Sequence, residues 1–242
     1  PPAVYKRALS PNMLIGPQNL TLHVNHVRSR IRRAAIAAGR DPESVTLVAV
    51  TKAKTAESVR LAATAGVTDF GENYLQEAEG KMDQLADLKL QWHFIGGIQS
   101  NKTRIIAERF EWVQSVDRFS VARRLSEQRP FHAPPLNVCI QVALVPEPTK
   151  GGVPPEGLKE LARATAELPR LRLRGLMCVP PPQPDAAAER AVFARLRAAL
   201  EDLNAGGLKL DTLSMGMSGD FESAIAEGAT LVRIGTALFG AR

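Results

Sequence analysis

The 242-residue chain is 45% hydrophobic and 23% charged, the balance of a soluble globular protein, with no unbroken apolar stretch near the roughly 18 residues of a membrane span. Its formal net charge of +6 is local: Lys6, Arg7, Arg28, Arg30, Arg32, Arg33 and Arg40 stand among the first 40 residues without an acidic one, and the rest of the chain, with 24 basic and 25 acidic residues, is balanced. Neither a nucleic acid nor a membrane is therefore expected as a partner, and a start without a signal peptide's apolar core points to a cytoplasmic location.

Residues 1–17 carry four prolines and no periodicity, which predicts a loose leader ahead of one domain over residues 18–242. From Gln18 to Gly39 the spacing of Leu20, Val24, Val27, Ile31, Ala34 or Ala35, and Ala38 predicts a helix ended by Gly39, with most of its arginines on the solvated side. Eight short apolar or β-branched runs follow: Val45–Val50, Thr68–Phe70, Gln91–Ile95, Trp112–Val116, Leu136–Val142, Leu171–Val179, Thr212–Met215 and Leu231–Gly235. Helical periodicity fills the gaps at about 55–65, 73–86, 101–109, 118–128, 155–167, 185–204 and 219–227. Strict alternation implies a parallel sheet, because parallel neighbours need crossover connections. Eight units favour an α/β fold of the closed (β/α)8 TIM-barrel type with an extra N-terminal helix. The alternative, a doubly wound open sheet, would place a glycine fingerprint after the first strand, where Ala49-Val-Thr-Lys-Ala-Lys54 has none. Cys139 and Cys178 lie in apolar runs and read as buried reduced thiols. The four histidines are scattered, so no zinc site is expected.

Active sites of such barrels lie at the C-terminal ends of the strands, with phosphate sites frequent after strands seven and eight. Lys52 ends the first strand, where an amine partly withdrawn from water suits attack on a carbonyl; Lys54, two residues on, is the fallback, and a snorkelling surface lysine is the plainer reading. The seventh strand runs into Gly216-Met-Ser218-Gly-Asp220 and the eighth into Gly235-Thr236, where glycines, hydroxyls and free helix-start amides form a phosphate cup. Helix capping by Ser218 is the alternative. Arg233 alternates with Val232 and Ile234, so it points into the barrel if those two pack under helices. A guanidinium there needs an acceptor, either a ligand's ring nitrogen or carboxylate, or an internal acid such as Asp117 or Glu72. Glu72 and Asn73 end the second strand, Asn73 serving the site or capping the next helix, and His93 reads as an inward packing histidine. An amine, a phosphate cup and an inward arginine together suit a phosphorylated aldehyde, and pyridoxal 5′-phosphate satisfies all three.

Seven ordered segments carry a resemblance: Leu47-Val-Ala-Val-Thr-Lys52, Phe70-Gly-Glu-Asn-Tyr74, Trp92-His-Phe-Ile-Gly96, Gln99-Ser-Asn-Lys102, Gly175-Leu-Met177, Leu213-Ser-Met-Gly-Met-Ser218, and Val232-Arg-Ile-Gly-Thr236 through Phe239-Gly-Ala-Arg242. In these the chain resembles the pyridoxal phosphate homeostasis proteins (YggS-like, also called PROSC) from residue 18 to its end. The resemblance implies an alanine-racemase-type N-terminal barrel with the cofactor joined as a Schiff base to Lys52. It also implies phosphate contacts from Ser218, Gly235 and Thr236 and a pyridine-nitrogen contact from Arg233; Asn73 is counted with the cofactor-binding residues on its position near the mouth. Lys150 matches a loop lysine of the family linked to secondary cofactor handling, although an exposed loop residue is the plainer reading. Many relatives have serine at Thr51 and proline at Gly97, departures that remove no needed group.

Alanine racemases use a tyrosine from a second domain opposite the lysine, whereas this chain has only Tyr5 and Tyr74. An arginine at the ring nitrogen also weakens the cofactor as an electron acceptor. The expected function is thus to hold and deliver pyridoxal 5′-phosphate, in cofactor and amino-acid balance, as a monomer with little or no catalysis and with apo forms of cofactor-dependent enzymes as recipients. The alternatives are a pyridoxal-phosphate racemase or lyase of small amino acids, a Schiff-base aldolase of a phosphosugar, and nucleic-acid binding through the basic helix.

Overall fold

A computed structural model of the chain describes residues 17–145 and 151–240. The leader expected over residues 1–17 lies, apart from Pro17, outside the described residues, as does Lys150. Helix α1 (Pro17–Ala37) precedes the strands β1 (Thr46–Val50), β2 (Asp69–Glu72), β3 (Gln91–Phe94), β4 (Trp112–Val116), β5 (Leu136–Gln141), β6 (Leu171–Met177), β7 (Thr212–Ser214) and β8 (Leu231–Ile234). The strands pair in parallel in chain order and β8 closes on β1, so the sheet is a closed barrel. Between successive strands run α2 (Ala56–Thr64), α3 (Leu75–Gln84), α4 (Thr103–Arg109), α5 (Phe119–Gln128), α6 (Pro155–Ala166), α7 (Ala186–Ala205) and α8 (Phe221–Ala226). All eight expected strands and seven expected crossover helices are present, with ends no more than two residues from those expected. Three short elements are additional among the described residues: single 3-10 turns at Pro42–Ser44 and Ser100–Lys102 and α9 (Thr236–Phe239), one turn directly after β8, each too short to impose a periodicity that sequence can show.

Local chemistry sets the boundaries. Gly39 takes φ 67°, and the amides of Gly39 and Arg40 return to the carbonyls of Ile36 and Ala35, a left-handed stop that terminates α1. Thr55 caps α2 by accepting from the Ser58 amide, and Asp185 caps α7 by accepting from Ala188. On the outer barrel wall Ala49, Phe70, Val232 and Ile234 are fully buried beneath the helices, the burial on both faces that parallel strands require.

Helix α1 lies against α2, α8 and α9, burying Leu20, Val24, Val27, Ile31 and Ala35. Its basic side is not simply solvated. Arg28 donates to the carbonyls of Ala65 and Gly66, Arg30 pairs with Glu222, and Arg40 beyond the helix donates to Ile225 O. Much of the positive charge thus fastens the helix to the barrel. At the N-terminal mouth a cavity of about 540 Å³ is lined by residues that include Arg28, Arg32, Thr46, Thr68 and Asp69.

Candidate functional site

Of the residues singled out from the sequence, Lys52, Asn73, Ser218, Gly235 and Thr236 follow the C-terminal ends of β1, β2, β7 and β8, and Arg233 stands within β8. Lys52 stands in the turn that follows β1, and that turn is pinned on both sides of it. Before it, Thr51 is fully buried and its Oγ1 donates to Glu72 Oε1 at 2.6 Å. Lys81 of α3 donates to Thr51 O at 2.6 Å and to the same Glu72 oxygen at 2.7 Å. After it, Ala53 adopts φ 58°, and its amide donates to Glu77 Oε2 at 2.8 Å. A left-handed alanine costs energy that the surrounding bonds must offset. Lys52 itself is half-buried, with no hydrogen bond or ion pair to its amine among the described residues. Lys54 is engaged, donating to Phe239 O at 3.2 Å, so the fallback amine is the less available one.

Arg233 in β8 is 4% exposed, with Val232 and Ile234 packed outward as alternation requires. Its Nη1 donates to Ser214 Oγ at 2.6 Å and its Nη2 to Cys178 O at 2.8 Å. Neither acid considered from the sequence is its acceptor. Asp117 pairs with Arg118, and Glu72 faces Lys81 and Thr51. Two of the five N–H groups of the guanidinium are thereby used, and the others, Nε–H included, have no protein acceptor among the described residues. Burial pulls the Arg233 pKa below its usual value. Burial also pushes the thiols of Cys139 and Cys178 up to about 12, so both neighbours are neutral and unreactive.

The two loops of the expected cup are tied together, because Ser218 Oγ accepts from the Ala237 amide at 3.3 Å. Ser218 does not cap α8, whose N-cap residue is Asp220. Asp220 closes the turn instead, accepting from the Met217 amide at 2.6 Å. Gly235 is the N-cap residue of α9 and Thr236 its first residue. A Cβ on Gly235 would lie 3.5 Å from Val50, which puts the cup beside the strand end that leads into Lys52. Asn73 stands apart from this group, over β2 and β3. Its backbone oxygen would be 2.1 Å from a Cβ at Gly96, so only glycine fits there. Asn73 does not cap α3, and its Oδ1 is buried without a hydrogen-bond partner among the described residues.

Sequence reasoning did not find the Thr51, Glu72, Glu77 and Lys81 cluster, nor the polar side chains inside the barrel behind Arg233. Glu77 and Lys81 stand four residues apart on α3, the spacing of one helical face, and Lys81 falls between Ala78 and Met82, both buried. A lysine on an apolar helix face was the available signal.

The geometry defines a parallel (β/α)8 barrel whose polar groups converge at the mouth formed by β1, β7 and β8. Residues 22–242 match the family "Alanine racemase, N-terminal domain". The chain is 64% identical over 220 residues to the pyridoxal phosphate homeostasis protein of Pseudomonas aeruginosa, covering 91% of this chain and 94% of that relative. It is 49% identical over 219 residues to the protein of the same name in Escherichia coli, covering 89% and 94%. The structure of PipY from Synechococcus elongatus with PLP bound aligns with TM-score 0.81 and 37% identity over 91% of this chain and all of that one. An alanine racemase of Clostridium difficile, at TM-score 0.70 and 16% identity over 93% of this chain and 57% of that one, shares the fold. The chain belongs to the pyridoxal phosphate homeostasis protein family.

Proposed function

We propose that this protein holds pyridoxal 5′-phosphate at the C-terminal mouth of its barrel and hands it on, with little or no catalysis of its own. The observation that carries the reading is Arg233, a buried guanidinium whose remaining N–H groups have no acceptor among the described residues, beside the tied loops of Ser218 and Ala237. A ring nitrogen meets the first need and a phosphate the second. Lys52 is the amine that joins the aldehyde as a Schiff base, Ser218, Gly235 and Thr236 take the phosphate, Arg233 faces the pyridine nitrogen, and Asn73 borders the ring.

When bound, the cofactor supplies a reactive aldehyde and a ring able to accept electrons. The residues of this chain restrain that second capacity. Arg233 offers N–H donors where electron uptake would be helped by a protonated nitrogen, and the tyrosine within the described residues, Tyr74, is exposed beside the start of α3. Holding and transfer suit this arrangement better than turnover. Residues 18–242 act as one binding unit, a cytoplasmic monomer whose recipients are apo forms of cofactor-dependent enzymes. The close relatives named for pyridoxal phosphate homeostasis and the PLP-bound PipY structure support the cofactor and the role.

The visible absorption spectrum of the purified protein with pyridoxal 5′-phosphate tests the attachment. The Schiff-base band disappears in Lys52→Ala and persists in Lys54→Ala. An unchanged band in Lys52→Ala rejects Lys52 as the attachment point. Steady turnover of small amino acids that is lost in Lys52→Ala would make the protein an enzyme and overturn the carrier reading.

A further inference from the structure

A chain of hydrogen bonds crosses the barrel interior behind Arg233. Arg233 Nη1 donates to Ser214 Oγ at 2.6 Å, Ser214 Oγ to Gln114 Oε1 at 2.6 Å, Gln114 Nε2 to His93 Nδ1 at 2.8 Å, and His93 Nε2 to Asp69 Oδ1 at 2.9 Å. Gln114, His93 and Ser214 are fully buried. The β4 register shifts between Val113 and Val116, where Gln114 reaches inward and Ser115 donates to Gly96 O at 2.5 Å, as an irregularity in a strand can re-aim side chains. The Trp112 ring stacks on His93 with centroids 5.3 Å apart. At the far end the Asp69 side chain reaches the wall of the 540 Å³ cavity at the opposite mouth, and its second oxygen accepts from Thr68 at 2.7 Å.

One order of protons satisfies every link. A guanidinium only donates, so Ser214 accepts from it and turns its own hydrogen to Gln114. The Gln114 oxygen therefore faces Ser214, and its NH2 faces His93. Nδ1 of His93 must then be a bare lone pair and Nε2 must carry the proton, which the Asp69 carboxylate accepts. Turning the Gln114 amide over would demand a proton on Nδ1 and leave the Ser214 hydrogen without its acceptor. Burial, against the pull of Asp69, holds the imidazole pKa below its usual value, in keeping with a neutral ring.

We propose that Asp69, His93 and Gln114 are positioning residues that act through Ser214 to fix the direction in which Arg233 presents its free N–H groups to the cofactor ring. The proposal rests on the cofactor reading above and adds to it a cause for the arginine's orientation: the tautomer of a histidine separated from it by two side chains.

Two measurements test it. Long-range nitrogen–proton NMR of the full wild-type chain reads the His93 tautomer directly, and the expected result is a protonated Nε2 and a bare Nδ1. Absorbance titration with pyridoxal 5′-phosphate compares two variants whose folding is checked by circular dichroism. Gln114→Met keeps the volume but removes the acceptor for Ser214, so affinity falls about tenfold, the worth of roughly one hydrogen bond. Gln114→Glu keeps that acceptor and stays within about threefold of wild type, with His93 taking the extra proton. A role in packing alone reverses the order, sparing methionine and penalising the buried acid. A proton on Nδ1, or wild-type affinity in Gln114→Met, overturns the proposal, and the NMR result decides alone if the variants do not fold. A wild-type protein that takes up no cofactor overturns the cofactor reading and the ring-directed part of the proposal with it, whichever tautomer is found.

Discussion

His93 is fully buried inside the barrel, and that gives stability a pH dependence with a defined sign. Burial lowers its pKa from the ordinary 6.5 against the opposing pull of Asp69. Below about 6.5 the unfolded chain therefore binds a proton that the folded chain refuses, and stability drops as pH falls. For Asp69, burial pushes upward, but the bonds from His93 and Thr68 outweigh it and hold the carboxyl below 3.8. Its contribution is complete above that value and disappears as pH falls through the lower folded value. The two windows are separate. Urea unfolding between pH 7 and pH 5 should show the His93 contribution without that of Asp69, with a slope from this residue of at most about 1.4 kcal/mol per pH unit. The slope flattens in His93→Gln, and an equal slope in that variant would assign the loss elsewhere. From the sequence His93 read as an inward packing residue, which is its place. The chain it completes was not legible, because its partners lie 21 to 24 residues away on neighbouring strands, and nothing local in Gln114 or Asp69 announces them.

At the scale of elements, α3 holds the turn that carries Lys52. Lys81 and Glu77 reach Thr51 and Ala53, the residues on either side of it. Burial pushes the Glu72 carboxyl up against the pull of Lys81 and Thr51, so this pair is one whose partners depend on each other. Lys81→Met leaves Glu72 buried and unpaired and should cost about 3–5 kcal/mol of stability, whereas Lys81→Met combined with Glu72→Gln recovers a large part of it. Chemical denaturation of the four proteins in that cycle gives the coupling. Gly96 is a second such support. An alanine there drives Cβ into the Asn73 carbonyl, and displacing that loop should cost roughly 1–3 kcal/mol, read as a lower Tm. The strands and long helices were legible because each is a periodic run of apolar residues. The turn after β1 was legible only as an amine at a strand end. What makes it rigid comes from α3, some 24 to 30 residues on, and a lysine on the apolar face of a helix is indistinguishable in sequence from one that snorkels to water.

For the molecule as a whole, part of the charge excess met first in the sequence is a fastening. Arg28, Arg30 and Arg40 bind α1 and its exit to the 65–66 turn and to α8, while the mouth proposed for the cofactor lies at the other end of the barrel, with its polar groups at strand ends. The helix and the cofactor site are therefore separable. Ile31, buried at the end of α1 away from α9 and beside the N-terminal cavity, should cost about 2–4 kcal/mol on truncation in Ile31→Ala and leave the affinity for pyridoxal 5′-phosphate unchanged. A loss of affinity parallel to the loss of stability would join the two ends of the barrel more tightly than this division allows.

Helix α1 also imposes an order on events in time. It is made before any strand, yet α8 and α9 supply much of the surface it covers, and His23 Nδ1 donates to Leu238 O across 215 residues at 2.9 Å. During synthesis at about 5–20 residues per second, the stripe of Leu20, Val24, Val27, Ile31 and Ala35 waits on the order of ten seconds or more for those partners. For that interval the nascent chain offers an amphipathic helix without its dock, a ready ligand for holding chaperones at the ribosome exit. Ribosome-bound chains of increasing length should thus gain protease protection at α1 abruptly, and only once residues 221–239 have emerged.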